Sequence, residues 1–410
     1  MTRCWYLCLV FFYTTSLMAQ NVKTGIEVLQ EHNFYSLEGK NVGLITNPTG
    51  VNQQLKATID ILAEAANVKL VALYGPEHAV RGDYSAGDKV QFFSDPKTQL
   101  PVYSLYGKHK KPSADMLTNI DVLVYDIQDI GSRSYTYIST LGLAMEAAAE
   151  NNIKLVVLDR PNPLGGLKME GMITESGFTS FVSQFPIPYI HGLTVGELAL
   201  YLNGEQLLSN GVQCDLEVVA MENWKRTMNF EDTGLPWVPS SPHIPRATSS
   251  YFYPASGILG ELYIFNIGVG YTLPFELFAT EWINADSLAH NLNSLNLAGI
   301  TFRPIHYKPY YSTSKGKLLH GVQVHISDYQ QAQLSLIQFY ILQETHKLWP
   351  EHNVFDMCEP SRISMFDKVC GSDKVRIAFT KHWLVGDIID LWTKDINSYR
   401  QRAEKYFLYD

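Results

Sequence analysis

Cysteine is scarce, with five residues in a chain of 410. Cys4 and Cys8 lie in the first apolar run, which leaves Cys214, Cys358 and Cys370 beyond it. Three cysteines cannot make a disulfide scaffold, although one Cys358–Cys370 bridge is open in an oxidising compartment. None has metal-ligand spacing, so the fold must hold by its core. Positive charge is also short: 32 Lys and Arg face 41 Asp and Glu, a formal net charge of −9. This balance argues against nucleic acid or an anionic membrane surface as the main partner. Phosphate-cradling glycines are missing as well. No G-x-G-x-x-G follows a strand pattern, no G-x-x-x-x-G-K-[ST] occurs, and "GVG" at 268–270 lacks the third glycine, so no nucleotide cofactor is expected. Neither G-x-S-x-G nor H-E-x-x-H is present, and the histidines show no zinc spacing. A serine elbow and a metal are therefore not expected.

Long hydrophobic runs are absent too, except at the start. "CWYLCLVFFYTTSL" follows Arg3 and leads to Met18-Ala19-Gln20, and it is shorter than the roughly 20 apolar residues of a spanning helix. Residues 1–20 read as a signal peptide. The protein is expected to be exported, to a periplasm or beyond, with no stable membrane anchor after cleavage.

What is present is an alternation. "NVGLITN" (41–47), "VKLVALYG" (68–75), "DVLVYDIQD" (121–129) and "IKLVVLDRP" (153–161) have the near-continuous apolar content of parallel strands covered on both faces. Helical periodicity separates them, with Ile138, Leu141, Met145 and Ala148 on one face, and similar patterns over 52–67 and 194–203. The fold class expected is α/β, a doubly wound, mostly parallel sheet over 21–245. The Pro-rich "LPWVPSSPHIP" (235–245) breaks the periodicity. Beyond it, 246–410 reads as a smaller α+β domain, with alternating strands in "ITFRPIHYKPYY" and "GVQVHISD" and an amphipathic helix over 329–349.

Open parallel sheets bind ligands outside the carboxyl ends of their strands. Here those ends carry Asn47, then Glu77, His78 and Arg81 after a stiff Gly75-Pro76 turn, then Asp126, Gln128, Asp129 and Arg133, then Asp159, Arg160 and Asn162. Each alone reads equally well as a turn cap or an ion pair. Asp126 and Asp129 lie three apart around a tight turn, so one of them can cap a helix begun near Ser132, and Asp159–Arg160 reads as structural. Together they make a rim suited to a neutral, hydroxyl-rich ligand. With no metal or nucleophile signature, paired-carboxylate acid/base hydrolysis of a glycosidic bond is the chemistry expected. Glu77 is the expected acid and Asp126 the second carboxylate, with a 2-acetamido group of the substrate as the alternative to Asp126, a known exception to the two-carboxylate scheme. His78, Arg81, Asn47, Gln128, Arg133, Tyr135 and Asn162 would orient the sugar. His191 either contacts it or orients a turn, and His243 packs a hinge or meets ligand.

The segments "GLITNPTGV", "YGPEHAVRG", "VYDIQDIGSRSYTYISTLGLAMEAAAE", "VLDRPNPLGG", "HGLTVGELA", "WVPSSPHIP", "FRPIHYKPYYS" and "GVQVHISD" resemble, in unbroken order, exo-β-N-acetylmuramidases of the NamZ type. This was formerly a domain family of unknown function. The resemblance implies a Rossmann-like domain and a smaller auxiliary domain closing a cleft between them. It also implies removal of N-acetylmuramic acid from the non-reducing end of peptidoglycan fragments, with the G-P-E-H glutamate falling on Glu77. Glu261, a substrate-binding candidate, stands in a passage that differs from the family's pattern. Ile264, Ile267 and Val269 replace its Asn, Glu and Arg, while His243 stands for Asn and Ala79-Val80 for Gly-Phe. Those replacements raise a second expectation: a member that binds cell-wall glycan fragments without turning them over.

Overall fold

The computed structural model describes residues 21–77, 80–82, 92–107 and 109–410; the expected signal peptide and His78 lie outside them. Seven strands form the main sheet: β1 (Asn41–Thr46), β2 (Lys69–Gly75), β3 (Phe92–Ser94), β4 (Pro101–Ser104), β5 (Val122–Asp126), β6 (Lys154–Leu158) and β7 (Leu216–Val219). Their order is β3-β4-β2-β1-β5-β6-β7, parallel except for β3 against β4. Alternate side chains of the central strands enter two cores. Val42, Leu44, Val124 and Val156 meet Ile26 and Leu29 of α1 (Gly25–Glu31) and Ile59 and Leu62 of α2 (Thr58–Glu64). Ile45, Leu123, Tyr125 and Val157 meet Ile138, Leu141 and Met145 of α3 (Tyr137–Glu150) and Leu198 and Leu202 of α4 (Val195–Gly204). Burial on both faces is why these strands read as unbroken apolar runs.

Two helices are shorter than their periodicity predicts. The pattern over 52–67 yields only Thr58–Glu64, because Asn52 Oδ1 accepts the backbone N–H groups of Gln54 and Lys56 and holds a turn there. The pattern over 329–349 becomes a 3₁₀ turn at Leu334–Leu336 and then helix Ile337–Leu348, with Asp328 Oδ1 accepting from Gln330 and Gln331.

Beyond the Pro-rich passage come α5 (Ser249–Gly260), β8 (Leu277–Thr280), α6 (Ala285–Ser294), β9 (Ile300–Tyr307), β10 (Leu319–Ile326) and α7 (Ile337–Leu348). The strands form a second, antiparallel sheet in the order β8-β10-β9. The core under this sheet does not stop at the boundary. It takes in Ile130, Leu164, Met172, Tyr189 and Ile190 from loops of the first half.

Candidate active site

The strand order reverses beside β1. The chain leaves β1 for β2 on one side and returns as β5 on the other, with Thr46 opposite Asp126. The switch point that binds ligands in such sheets therefore lies outside the ends of β1 and β5. Asn47 and the segment 127–133 emerge there, and Glu77 follows the end of β2 next door.

Asp126 does not face this crevice freely. Its side chain is fully buried, with Arg160 Nε on Oδ1 at 2.5 Å, Arg160 Nη2 on Oδ2 at 2.9 Å, and the Thr58 hydroxyl on Oδ2 at 2.5 Å. A carboxylate held this way is a structural ion pair, so the second-carboxylate role expected of it does not fit. Four expected sugar contacts, Arg81 among them, are committed in the same manner. Arg81 grips Asp95 through Nε and Nη2 (2.5 and 3.0 Å) and reaches Asp60 at 3.0 Å. Burial pushes the Asp95 carboxyl up, but Arg81 and Thr98 outweigh it and hold the group at about 2. Arg133 is fully buried and donates to the carbonyls of Met172, Ile187, Val369 and Cys370. Asn162 accepts from Leu164 N and donates to Leu193 O, both at 2.9 Å. Gln128 donates to the carbonyls of Asp129 and Pro161. These hydrogen bonds tie the side chains to the loops that carry the site.

A different set remains available. Glu77 is half-buried and enters no ion pair among the described residues. Burial raises the Tyr106 phenol, with the charge of Glu77 and a hydrogen bond to it adding to the effect. Burial likewise raises Tyr137, Asn47 lowers it, and Glu77 raises it. Asn47 Oδ1 is taken by Thr49 N (3.0 Å) and the Thr49 hydroxyl, while its Nδ2 nears Tyr137 but meets no partner at hydrogen-bonding geometry. The Tyr137 hydroxyl donates to Ser240 O at 2.5 Å, and the Tyr135 hydroxyl sits 2.8 Å from Ser240 Oγ. The two rings meet edge to face at 5.0 Å, and Tyr135 meets Tyr253 of α5 at 5.5 Å.

Asp129 stands on the other side of this tyrosine group. Burial raises Tyr125, Tyr135 and Tyr253, and the charge of Asp129 adds to each. Its Oδ2 accepts from Gly131 N at 2.8 Å and lies 3.3 Å from His191 Nε2. Its Oδ1 is buried without a partner. Sequence reading offers Asp126 or Asp129 as the cap of a helix begun near Ser132, but the helix begins at Tyr137 and Asp129 holds the turn at Gly131 instead. It missed the open oxygen and the tyrosines Tyr106, Tyr137 and Tyr253; the tyrosine-rich "GSRSYTYIST" was the available signal. The second half supplies Glu261, at the end of α5. Burial raises its carboxyl against the opposing pull of Arg362 at 3.5 Å, and its charge reaches Tyr253. His243 stacks on Tyr311, with Nε2 3.0 Å from the phenol oxygen.

The altered passage near Glu261 is interior packing. Ile267 is buried in the core of the second half with Leu262 and Phe265, and the half-buried Ile264 and Val269 pack against that core. No cluster of three or more His, Cys, Asp or Glu able to hold a metal occurs among the described residues, and Cys214, Cys358 and Cys370 are free thiols. A cavity of about 680 Å³ lies elsewhere, by α1 and the 52–54 turn. Its carboxylates are engaged: Glu31 and Glu222 with Lys23, and Glu27 with the N–H groups of Thr24 and Gln53. It offers no uncommitted acid.

Residues 42–248 match the family profile described as exo-β-N-acetylmuramidase NamZ, N-terminal, and residues 251–409 match its C-terminal counterpart. The peptidoglycan β-N-acetylmuramidase NamZ of Bacillus subtilis (strain 168) is 45% identical over 388 residues, covering 95% of this chain and 91% of that protein. Crystal structures of two DUF1343 family proteins from Bacteroides fragilis NCTC 9343 share the fold. One is 59% identical with a TM-score of 0.91, the other 29% identical with a TM-score of 0.77. Each match covers 95% of this chain and 99% of the other.

Proposed function

This chain belongs to the NamZ exo-β-N-acetylmuramidase family, and from that premise we propose that it is an exported glycoside hydrolase that removes N-acetylmuramic acid from the non-reducing end of peptidoglycan fragments. Glu77 is the general acid, giving its proton to the glycosidic oxygen as the bond to C1 breaks. The supporting observation is how charge is shared out at the rim. Asp126 is neutralised by Arg160, Asp60 and Asp95 by Arg81, and Glu197 by Arg226. Glu77 has no such cation among the described residues, only phenols. A proton donor needs that freedom, whereas a structural carboxylate does not. No helix of the described residues is long and apolar enough to cross a membrane.

Glu77→Gln keeps the shape and removes the proton. It is expected to lower kcat on a chromogenic N-acetylmuramide by about 10²–10⁴-fold, with an unchanged circular dichroism spectrum. Undiminished turnover would sink the mechanism. The second expectation, binding without turnover, predicts equal glycan binding and no product from both proteins.

A further inference from the structure

Resting on that reading, the geometry points to Asp129 as the second catalytic group, one that holds the N–H of the sugar's 2-acetamido substituent and so makes the substrate's own amide the nucleophile. Asp129 is 6% exposed, yet among the described residues no arginine or lysine neutralises it. A buried polar atom without a partner is costly, and more so when charged. Oδ1 is such an atom, and so are Ser132 Oγ three residues on and Asn47 Nδ2 across the switch point. The carboxylate is nonetheless aimed with care. Oδ2 is held by Gly131 N and by His191, which is 1% exposed. His191 Nδ1 accepts from Leu193 N at 3.2 Å, so in the neutral ring the proton sits on Nε2 and is donated to Asp129. A neutral donor orients the carboxylate without cancelling its charge. The free oxygen therefore calls for a ligand donor, and the open amide and hydroxyl beside it suit neighbouring acceptors on the same ligand. An amide-bearing sugar supplies both.

The chemistry follows and balances. The acetamido carbonyl oxygen bonds to C1 as the C1–O glycosidic bond breaks, and the leaving oxygen takes its electron pair and the proton of Glu77. The resulting oxazolinium carries positive charge on the N–H that Asp129 Oδ1 accepts. Water then attacks C1, the C1–O bond to the acetamido oxygen breaks, and the water's proton returns to Glu77. Two-carboxylate hydrolysis has this substrate-assisted form as a known exception.

The test uses wild-type protein first, so that folding is not in question. Aryl N-acyl muramides carrying acetyl, monofluoroacetyl, difluoroacetyl and trifluoroacetyl groups are compared, with proton NMR of the first-formed anomer. The expected result is a fall in kcat of at least about 10-fold per fluorine pair, since the carbonyl is the nucleophile, and a β-anomer product. Asp129→Asn, checked by circular dichroism, is expected to lower kcat by at least about 100-fold while KM moves less than about 3-fold. A flat fluorination series, or an α-anomer, overturns this inference and leaves the role of Glu77 standing. No turnover of the parent acetyl compound by the wild type overturns both.

Discussion

Arg81 lies four residues from the expected acid and could have neutralised it, but its guanidinium is spent on Asp95 and Asp60. The Asp95 side chain is 1% exposed, and its carboxyl is held at about 2 against an ordinary value near 3.8. Asp60 is lowered too, against the upward push of burial, by Lys97 and Arg81. A depressed carboxyl stabilises the fold above the unfolded pKa, and that stabilisation is lost as pH falls through the folded value. For Asp95 the window is about pH 4 down to about 2, and the shift corresponds to about 2 kcal/mol. Arg81→Ala leaves a buried carboxylate behind and is expected to cost about 3 kcal/mol at pH 7. The penalty should shrink markedly by about pH 2.5, as wild type loses the term and protonation neutralises the carboxyl left buried in the variant. Urea unfolding of the two proteins at both pH values measures this. A variant as stable as wild type but poor in KM would return Arg81 to the sugar-contact role read from sequence.

At the scale of elements, α3 shows how a residue that looks like a weakness is a fit. Gly142 sits mid-helix, where alanine would gain about 1 kcal/mol in helix propensity. A Cβ there would lie 2.1 Å from Phe185 Cζ, and that ring is 2% exposed, with little room to retreat. Overpacking a closed core costs about 1–3 kcal/mol, so the clash wins. Gly142→Ala is expected to lower the melting temperature by several degrees, and adding Phe185→Leu to recover part of the loss. Legibility also divides by element. β1, β2, β5 and β6 were readable because cover on both faces forces unbroken apolar runs. β3, β4 and β7 were not: they are three or four residues long and lie toward the sheet's edges, where half-exposed side chains blur the pattern. Within the site, Gly75-Pro76 marked Glu77 locally. Choosing between Asp126 and Asp129 was beyond local pattern, because it depends on which one meets Arg160, a residue brought in by the end of β6.

At the scale of the molecule, the site needs both halves in register. Tyr135 and Tyr137 of the first half close on Ser240 and Tyr253, near the boundary and beyond it. Arg133 is the joint that holds this register. It read as a rim cation, but it is fully buried and reaches Val369 O at 2.8 Å and Cys370 O at 3.0 Å, more than two hundred residues along the chain. Those carbonyls end the helix Pro360–Cys370, where unsatisfied C=O groups and the negative end of the helix dipole favour a cation. Burial pushes the Arg133 guanidinium down to about 10, which still leaves it charged at neutral pH. Arg133→Met removes every donor at once and leaves these carbonyls, with those of Met172 and Ile187, buried and unpaired. A cost of about 3–5 kcal/mol is expected. Arg133→Lys, with a compact ammonium in place of the planar fork, should fall between wild type and Met. Because the lost bonds cross between the halves, the Met variant is expected to unfold in urea in two steps where wild type shows one, with protease cutting first between the halves. Turnover by the folded Met variant should fall with the same loosening, through KM, since Glu77 and Asp129 both belong to the half that stays intact. A single cooperative transition in the Met variant, with unchanged KM, would mean that the shared apolar core alone keeps the halves aligned.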